Sequence, residues 1–358
     1  MDNILLLGAG KIGAAIVELL GATGDYDVVV GDRDAALLKA IHRHDVRTQV
    51  VDVEDPAALR AAAAGRDAVI SALPFNLNAA VAEAARDVGL HYFDLTEDVA
   101  TTRRIRTIAA GAPTAFMPQC GLAPGFIAIA GADLARRFDS LDALHMRVGA
   151  LPIFPTNALL YNLTWSTDGL INEYCNLCEV IHDGRRMEVL PLQGIEQFLL
   201  DGVTYEAFNT SGGLGTLCDS FDGQVRELDY KTVRYPGHCE RMRLLIDDLK
   251  LGARRELLKD VLEYAIPVTL QDVVLVFATA TGQRNGRLTQ ESYLDKVYAR
   301  EIGGRTWSAI QVTTAAGICT MIDLMRDGVL PTQGFLRQED VALDAFLANR
   351  FGRYYAAD

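Results

Sequence analysis

Gly8-Ala9-Gly10-Lys11-Ile12-Gly13, near the start of the chain, joins an apolar run to a helical pattern. A glycine turn at a helix start offers free backbone N–H groups, and the positive end of the helix, to phosphate oxygens. In this pattern Gly8 permits the tight turn, Gly10 lets backbone approach a pyrophosphate, and Gly13 allows helix and strand to pack closely. Nineteen residues after Gly13, the run Val28-Val29-Val30-Gly31 ends at Asp32. An acidic side chain there accepts hydrogen bonds from adenosine ribose hydroxyls and repels a 2′-phosphate, so the expected cofactor is NAD rather than NADP. Arg33, its neighbour, is the residue that would receive a 2′-phosphate instead. Asp52 and Val53 close a third run and are expected to flank the adenine. Ala72, Leu73 and Pro74 follow a fourth run and are expected to face the nicotinamide half. Lys11 and Ile12 complete the expected cofactor contacts.

A second set of residues suits an amino-acid substrate. Asp94, Glu97 and Asp98 follow an apolar run, where carboxylates bind an ammonium or act as a base. Acidic residues in the same place also serve a helix N-terminus. Further on, Tyr230-Lys231-Thr232-Val233-Arg234-Tyr235-Pro236-Gly237-His238 is the densest polar block of the later chain. If Leu228–Tyr235 is a strand, Tyr230, Thr232 and Arg234 share one face, with Lys231 and Tyr235 on the other. The planar fork of arginine matches a carboxylate, and His238 is placed to carry protons near neutral pH. Thr210-Ser211-Gly212-Gly213 is a polar loop that contacts substrate or merely turns the chain. Cys175 and Cys178 have redox or zinc spacing, but no second pair or histidine motif completes a site. They read as packing residues of one helix, and no metal is expected.

The elements that hold these groups follow from hydrophobic pattern. Short apolar runs at Ile4–Leu7, Val28–Val30, Gln49–Val53, Ala68–Ala72, Tyr92–Leu95 and Thr114–Met117 read as buried strands. Helical patterns at Ile12–Leu20, Ala35–His42, Pro56–Ala64, Asn78–Val88 and Ala100–Ala109 alternate with them. That alternation is the mark of an α/β fold, a Rossmann-type doubly wound parallel sheet, over residues 1–125. After Pro124-Gly125 the runs lengthen, as in Leu144–Val148, Val203–Phe208 and Asp272–Ala280. Residues 126–305 therefore read as a second, α+β domain for substrate binding and dimerisation. A late helix, Ala309–Met325, suggests that residues 306–358 complete the first domain.

Composition narrows the function class. The 358 residues carry 47 acidic and 34 basic side chains, a formal charge of −13, which disfavours nucleic acid and anionic membranes as partners. Six cysteines are too few and too scattered for a disulfide framework. No apolar run reaches the ~18 residues of a membrane helix, and the N-terminus reads as a strand rather than a signal peptide. A cytoplasmic protein with reduced thiols is expected.

The glycine fingerprint, Gly121-Leu122-Ala123-Pro124-Gly125 and the 231–238 block together resemble the saccharopine dehydrogenase-like family over nearly the whole chain. Within it, Gly-Leu-Ala-Pro-Gly, Thr210-Ser211-Gly212-Gly213 and the Lys-Thr-x-Arg-Tyr-x-Gly-His block are similar to lysine 6-dehydrogenases. Leu163-Thr164-Trp165-Ser166 with Gly169-Leu170 is similar to L-glutamate-forming saccharopine dehydrogenases, whose Gly-Leu-Asp-Pro-Gly block has Ala123 here in place of aspartate. The resemblance implies NAD-linked oxidation at the ε-carbon of saccharopine or L-lysine, followed by imine hydrolysis to 2-aminoadipate 6-semialdehyde. It implies proton transfer by one of Asp94, Glu97, Asp98 and His238, and carboxylate binding by Arg234 and Lys231. Tyr235, Gly121, Trp165 and Ser211 are its further substrate contacts, with Gly121–Gly125 as a close-approach loop beside the nicotinamide. The implied partners are a small amino-acid substrate and a second copy of the chain, a homodimer being the common oligomer. Two rival readings remain at this level. One is reductive condensation of an amine with an aldehyde, as in carboxynorspermidine formation, and the other is a regulator that binds NAD without turnover.

Overall fold

The computed structural model describes residues 1–41 and 45–356. Met1–Phe126, Glu301–Arg305 and Gln311–Ala356 form one compact unit, and Ile127–Arg300 with Thr306–Ile310 forms the other.

In the first unit the apolar runs become β1 (Asn3–Leu7), β2 (Asp27–Asp32), β3 (Arg47–Val50), β4 (Ala68–Ser71), β5 (His91–Asp94) and β6 (Ala115–Met117). A two-residue strand, Gly334–Phe335, pairs with β6. The order is Gly334–Phe335, β6, β5, β4, β1, β2, β3, and every adjacent pair is parallel. Strand order reverses between β4 and β1, so a ligand crevice opens at the carboxyl ends of those strands. Residues Ile4 to Leu7 are fully buried because helices cover both faces. Side chains start several of those helices: Asp34 accepts from Ala36 N–H before Ala35–Lys39, and Asp55 from Ala57 N–H before Pro56–Ala63. Gly89, at φ 82°, closes Phe75–Val88 in the left-handed conformation.

Two boundaries differ from expectation. The helix expected over Ala35–His42 ends at Lys39, and His42 lies outside the described residues. The strand expected over Gln49–Val53 is Arg47–Val50. It lies at the sheet edge, bonded only to β2. Beyond Val50 the chain leaves the edge and buries Val51 and Val53 among Val29, Leu59 and Ala63.

The second unit is built on β7 (Ser140–Pro152), β8 (Cys178–His182), β9 (Arg185–Val189), β10 (Glu196–Leu200), β11 (Val203–Asn209), β12 (Glu227–Arg234), β13 (Asp272–Arg284) and β14 (Arg287–Tyr298). The order is β10, β11, β12, β7, β13, β14, with β8 on β12 and β9 on β8. The pairing is antiparallel except between β12 and β7. One face is covered by the helices Thr167–Cys175, His238–Arg243 and Arg255–Ala265, whose Tyr174, Met242, Leu258 and Leu262 meet Tyr161 and Phe208 in a single core. The other face gathers Leu151, Tyr205, Ala207, Val233, Val273 and Leu275, with Phe198, Tyr235 and Phe277 half-buried.

Cys175 and Cys178 do not share a helix. Cys175 ends Thr167–Cys175, and Cys178 opens β8. Among the described residues no cluster of three His, Cys, Asp or Glu side chains is placed to hold a metal. No helix among them is long and apolar enough to cross a membrane.

Candidate cofactor and substrate sites

The glycine loop leaves β1 and is closed from two sides. Gly8 has φ 104°, and a Cβ there would lie 2.7 Å from the Ala72 carbonyl oxygen. A Cβ on Gly13 would lie 1.9 Å from the Gly8 oxygen. A Cβ on Gly10 meets nothing within 4 Å. The first two glycines are demanded by the protein itself, whereas Gly10 opens onto free space. That space lies at the start of helix Lys11–Gly21, which has no side-chain cap, and it fits a dinucleotide pyrophosphate held by backbone N–H groups. Lys11 is exposed and Ile12 half-buried.

Asp32 braces this loop. Its Oδ2 accepts from Ala9 N–H at 2.7 Å and its Oδ1 from Asp34 N–H at 2.8 Å. Arg33 is exposed, with its guanidinium 3.8 Å from Glu54. Asp52 does not flank a strand end, because it sits in a turn and accepts from Glu54 N–H at 3.0 Å. Val53 is corrected too: its side chain is buried in the core and is unavailable to adenine. β4 stops at Ser71, whose hydroxyl donates to Asn78 Oδ1 at 2.6 Å. Ala72 continues its ladder through an N–H bond to Leu7 O. Leu73 packs partly on the core, and Pro74 precedes helix Phe75–Val88.

The carboxylates after β5 have divided roles. Asp94 is wholly buried and accepts from the Tyr92 hydroxyl at 2.6 Å and from the N–H groups of Thr96 and Gln119, both at 2.9 Å. Burial pushes its pKa up to about 6 against the pull of those bonds. It is a latch between β5 and the 119–125 loop, so the expectation that it meets substrate is corrected. Asp98 caps Val99–Ala109 by accepting from Thr101 N–H at 2.7 Å, the helix-start role rather than catalysis. Glu97 lies half-buried between them. The 119–125 loop is itself tight: a Cβ on Gly125 would lie 2.1 Å from Gly121 O, and one on Gly317 would lie 2.6 Å from Cys120 O. Gly121 is therefore part of a backbone ring pressed against helix Ala309–Arg326.

In the second unit the strand alternation of β12 decides which residues meet. Arg234 is buried on the helix-covered face. Its Nε–H donates to Tyr174 Oη at 3.1 Å, its Nη1 donates to Val233 O at 2.8 Å, and its guanidinium carbon stands 4.9 Å from the Tyr161 ring centre. Among the described residues no carboxylate pairs with it. His238 is also buried, with Nδ1 2.8 Å from Leu159 O and Nε2 3.1 Å from Tyr174 Oη. Burial, and secondarily the Arg234 charge, lower its pKa to about 3. It is a neutral imidazole near neutral pH, which corrects the expectation of a proton carrier.

Lys231 and Tyr235 lie across the sheet from Arg234. Lys231 Nζ bonds Glu196 at 2.7 Å, Glu196 also pairs with Arg147, and Arg147 reaches Asp229 at 2.6 Å. Lys231 is thus committed to a closed ion network and does not join Arg234. Tyr235 donates to Pro152 O at 2.8 Å and stacks on Tyr205, so it serves the opposite face as well. Ser211 is buried and donates its N–H to Glu173 O at 3.0 Å. Beside it, Thr210 and Thr232 share a hydroxyl bond at 2.9 Å. Trp165 is half-buried and donates Nε1–H to Tyr161 Oη at 3.2 Å.

Sequence reasoning missed Tyr161, Tyr174 and Glu206 around Arg234, and Asn162 beside Tyr161 in the chain. Tyr161 and Tyr174 form the walls of Arg234. Glu206, buried in β11, anchors the 235–238 turn by accepting from the N–H groups of Gly237 and Cys239, both at 2.7 Å. Asn162 Oδ1 is buried with no hydrogen-bond partner. The available signals were an acidic residue inside an apolar strand run, and Tyr161 four residues before Trp165.

Residues 4–115 match the family model described as the saccharopine dehydrogenase NADP binding domain, and residues 121–351 match the saccharopine dehydrogenase C-terminal domain. The L-glutamate-forming, NADP(+) saccharopine dehydrogenase of Schizosaccharomyces pombe is 24% identical over 203 residues, covering 53% of this chain and 44% of that one. The matched stretch therefore spans less than half of that relative's length. The structure of apo saccharopine dehydrogenase (L-Glu forming) from Saccharomyces cerevisiae is similar with a TM-score of 0.77 at 18% identity, covering 96% of this chain and 95% of that one. The C. glutamicum DAP dehydrogenase complex with DAP gives a TM-score of 0.50 at 11% identity, over 100% and 99% of the two chains. At these identities the two structures share the fold.

Proposed function

Because the chain belongs to the saccharopine dehydrogenase family, we propose that it oxidises the C–N bond at the ε-carbon of saccharopine or L-lysine with NAD, giving 2-aminoadipate 6-semialdehyde. The observation that carries this reading is Arg234, a buried cation that, among the described residues, makes no ion pair with a carboxylate: Glu206 opposite it in the sheet is held by main-chain N–H groups, and Glu173 acts on it only through its field. An uncompensated buried charge costs several kcal/mol, roughly, unless a ligand supplies its counterion. Of its five N–H bonds two are used by the protein, which leaves three for a carboxylate. The bare Asn162 Oδ1, in the segment that carries Tyr161, is an acceptor suited to the donor-only ammonium of an amino acid. Tyr161 and Trp165 offer ring surface to an aliphatic chain.

In the reaction the substrate nitrogen loses a proton, the ε-carbon loses a hydride, and water adds to the resulting imine. The C–N bond then breaks, releasing glutamate from saccharopine or ammonia from lysine. Nicotinamide supplies the hydride acceptor when bound. The chain's part is to hold the substrate carboxylate on Arg234, and the pyrophosphate on the glycine loop.

NAD, rather than the NADP(+) in the name of the S. pombe relative, is our reading for this chain. Asp32 keeps a carboxylate at the end of β2, tied by one oxygen to the glycine loop at Ala9 N–H and by the other to Asp34 N–H in its own turn, where a 2′-phosphate would meet its charge. We also assign the homodimer contact to the open face of the second sheet, where Phe198, Tyr235 and Phe277 are half-buried around Leu275. Light scattering should give twice the chain mass, and Phe277→Asp should reduce it to one. The six free thiols fit a reducing, cytoplasmic compartment.

The deciding experiment is growth of reduced-nicotinamide absorbance when NAD or NADP is offered with saccharopine and with lysine. Reduction with either amine supports the reading and identifies the substrate. Silence with both, with NAD binding intact, refutes it in favour of polyamine condensation or a regulatory role.

A further inference from the structure

Tyr174 stands in the middle of a one-way chain of hydrogen bonds. Leu159 O can only accept, so His238 Nδ1 carries the ring proton and donates it across 2.8 Å. His238 Nε2 is then bare and must accept, so the Tyr174 hydroxyl donates to it across 3.1 Å. With its proton committed, Tyr174 Oη offers only lone pairs to the Nε–H of Arg234, 3.1 Å away. One main-chain carbonyl thereby sets every direction in the chain. The surroundings hold it there: Tyr174 and His238 are fully buried, and their rings pack edge to face at 5.9 Å. Phe208 meets Tyr174 edge to face and stacks on His238.

We propose that Tyr174 is the positioning residue of the carboxylate site, fixing the guanidinium of Arg234 so that its Nη edge faces the ligand. The inference rests on the reading of Arg234 as the carboxylate anchor. Nε is tied to Tyr174, one Nη1 hydrogen to Val233 O, and the plane is set against the Tyr161 ring. What remains is both hydrogens of Nη2 and one of Nη1, an end-on fork that takes the two oxygens of one carboxylate. Removing the Tyr174 hydroxyl frees Nε–H, and the guanidinium then loses the bond that fixes its rotation. The ligand meets a mobile cation instead of a fixed fork, a loss in binding more than in chemistry. His238 acts through Tyr174 in the same way, as the acceptor that orients the phenol.

The test compares Tyr174→Phe with Arg234→Lys in the full chain, by calorimetry and steady-state kinetics. The probe is saccharopine or lysine, whichever the wild type binds. Tyr174→Phe should raise Kd and KM about tenfold, the worth of one oriented charged hydrogen bond, with kcat within about twofold. A merely structural defect would instead lower the active fraction, and so kcat, with KM unchanged. Arg234→Lys should weaken binding further, because a point charge cannot make the fork. If Arg234→Lys weakens binding and Tyr174→Phe does not, the positioning role is overturned and the carboxylate reading stands. If neither variant changes binding, or the wild type binds neither amine, the carboxylate reading fails and this inference with it. Nitrogen-15 shifts of His238 in the wild type give a check that needs no variant to fold. A proton on Nδ1 with bare Nε2 supports the chain, and a proton on Nε2 overturns it.

Discussion

Arg234→Met separates a ligand-binding arginine from a structural one, because the two faces of one sheet carry a buried arginine of each kind. Arg234 is 3% exposed and among the described residues forms no ion pair with a carboxylate, whereas Arg147, 5% exposed, pairs with Asp229 and Glu196. Methionine at 234 fills a similar volume and removes a desolvation cost of several kcal/mol, roughly. Against that stand two lost hydrogen bonds, to Tyr174 and Val233 O, at about 1–2 kcal/mol each, and the ring contact with Tyr161 at about 1 kcal/mol. The terms nearly cancel, so stability should change by no more than about 2 kcal/mol, a few degrees in Tm. Substrate should not be so forgiving: losing one partner of a buried, hydrogen-bonded charge pair costs about 2–5 kcal/mol, or about thirtyfold to several thousandfold in KM. Arg147→Met should behave oppositely. It removes the guanidinium that Asp229 and Glu196 share, leaving Asp229 only His145 and Glu196 only Lys231, and should cost about 3 kcal/mol of stability. The assay is paired melting curves and initial rates against saccharopine and lysine, with NAD affinity measured separately. If Arg234→Met melts as early as Arg147→Met, or leaves KM unchanged, Arg234 belongs to the fold and the substrate reading fails.

The glycine loop offers a second contrast. Gly13→Ala drives a methyl into the Gly8 carbonyl and should lower both Tm and NAD affinity, whereas Gly10→Ala, facing open space, should spare Tm and weaken NAD alone; calorimetry with melting curves separates them. Asp32→Ala should raise the NADP-to-NAD ratio of kcat/KM by about tenfold or more, and an unchanged ratio would mean that Asp32 only braces the loop. Asp94 yields a pH prediction. Its folded pKa of about 6 lies above the unfolded value near 3.9, so its contribution is fully present below about pH 4 and lost as pH rises through 6. Two units correspond to about 2–3 kcal/mol, which denaturant titrations from pH 4 to 7 should record as a fall that is absent in Asp94→Asn.

Much of the first unit is legible because its strands are buried on both faces, so each appears as an uninterrupted apolar run such as Leu5-Leu6-Leu7. Departures occur where that logic lapses. β3 is an edge strand with mostly exposed side chains, and the valines that suggested a strand, Val51 and Val53, are core residues of the connection that follows. Gly334–Phe335 is too short to carry any pattern, yet it is a seventh strand because β6 has a free edge to accept it. Cys175 and Cys178 fell on either side of a helix end that no capping residue announces.

The site was legible by residue type and not by partner. Alternation along β12 placed Lys231 and Tyr235 opposite Arg234, which the structure also has, but their chemistry suggested that they nonetheless served one ligand. What separates the two faces is the company each charge keeps. Lys231 is satisfied by Glu196, Asp94 by main-chain N–H groups and a phenol, and Asp98 by a helix end. Only partners brought from distant segments could reveal this, since Glu196 and Gln119 lie 35 and 25 residues from the groups they bond. The same reasoning runs in reverse for Arg234: its hydrogen bonds go to a phenol and a main-chain carbonyl, the nearby Glu206 is turned to the N–H groups of Gly237 and Cys239, and Tyr174 and His238 are directed by Leu159 O rather than by charge. A folded chain tolerates such a cation more readily when a ligand completes it, and that is why the functional reading of the second unit rests on a buried charge that forms no ion pair among the described residues.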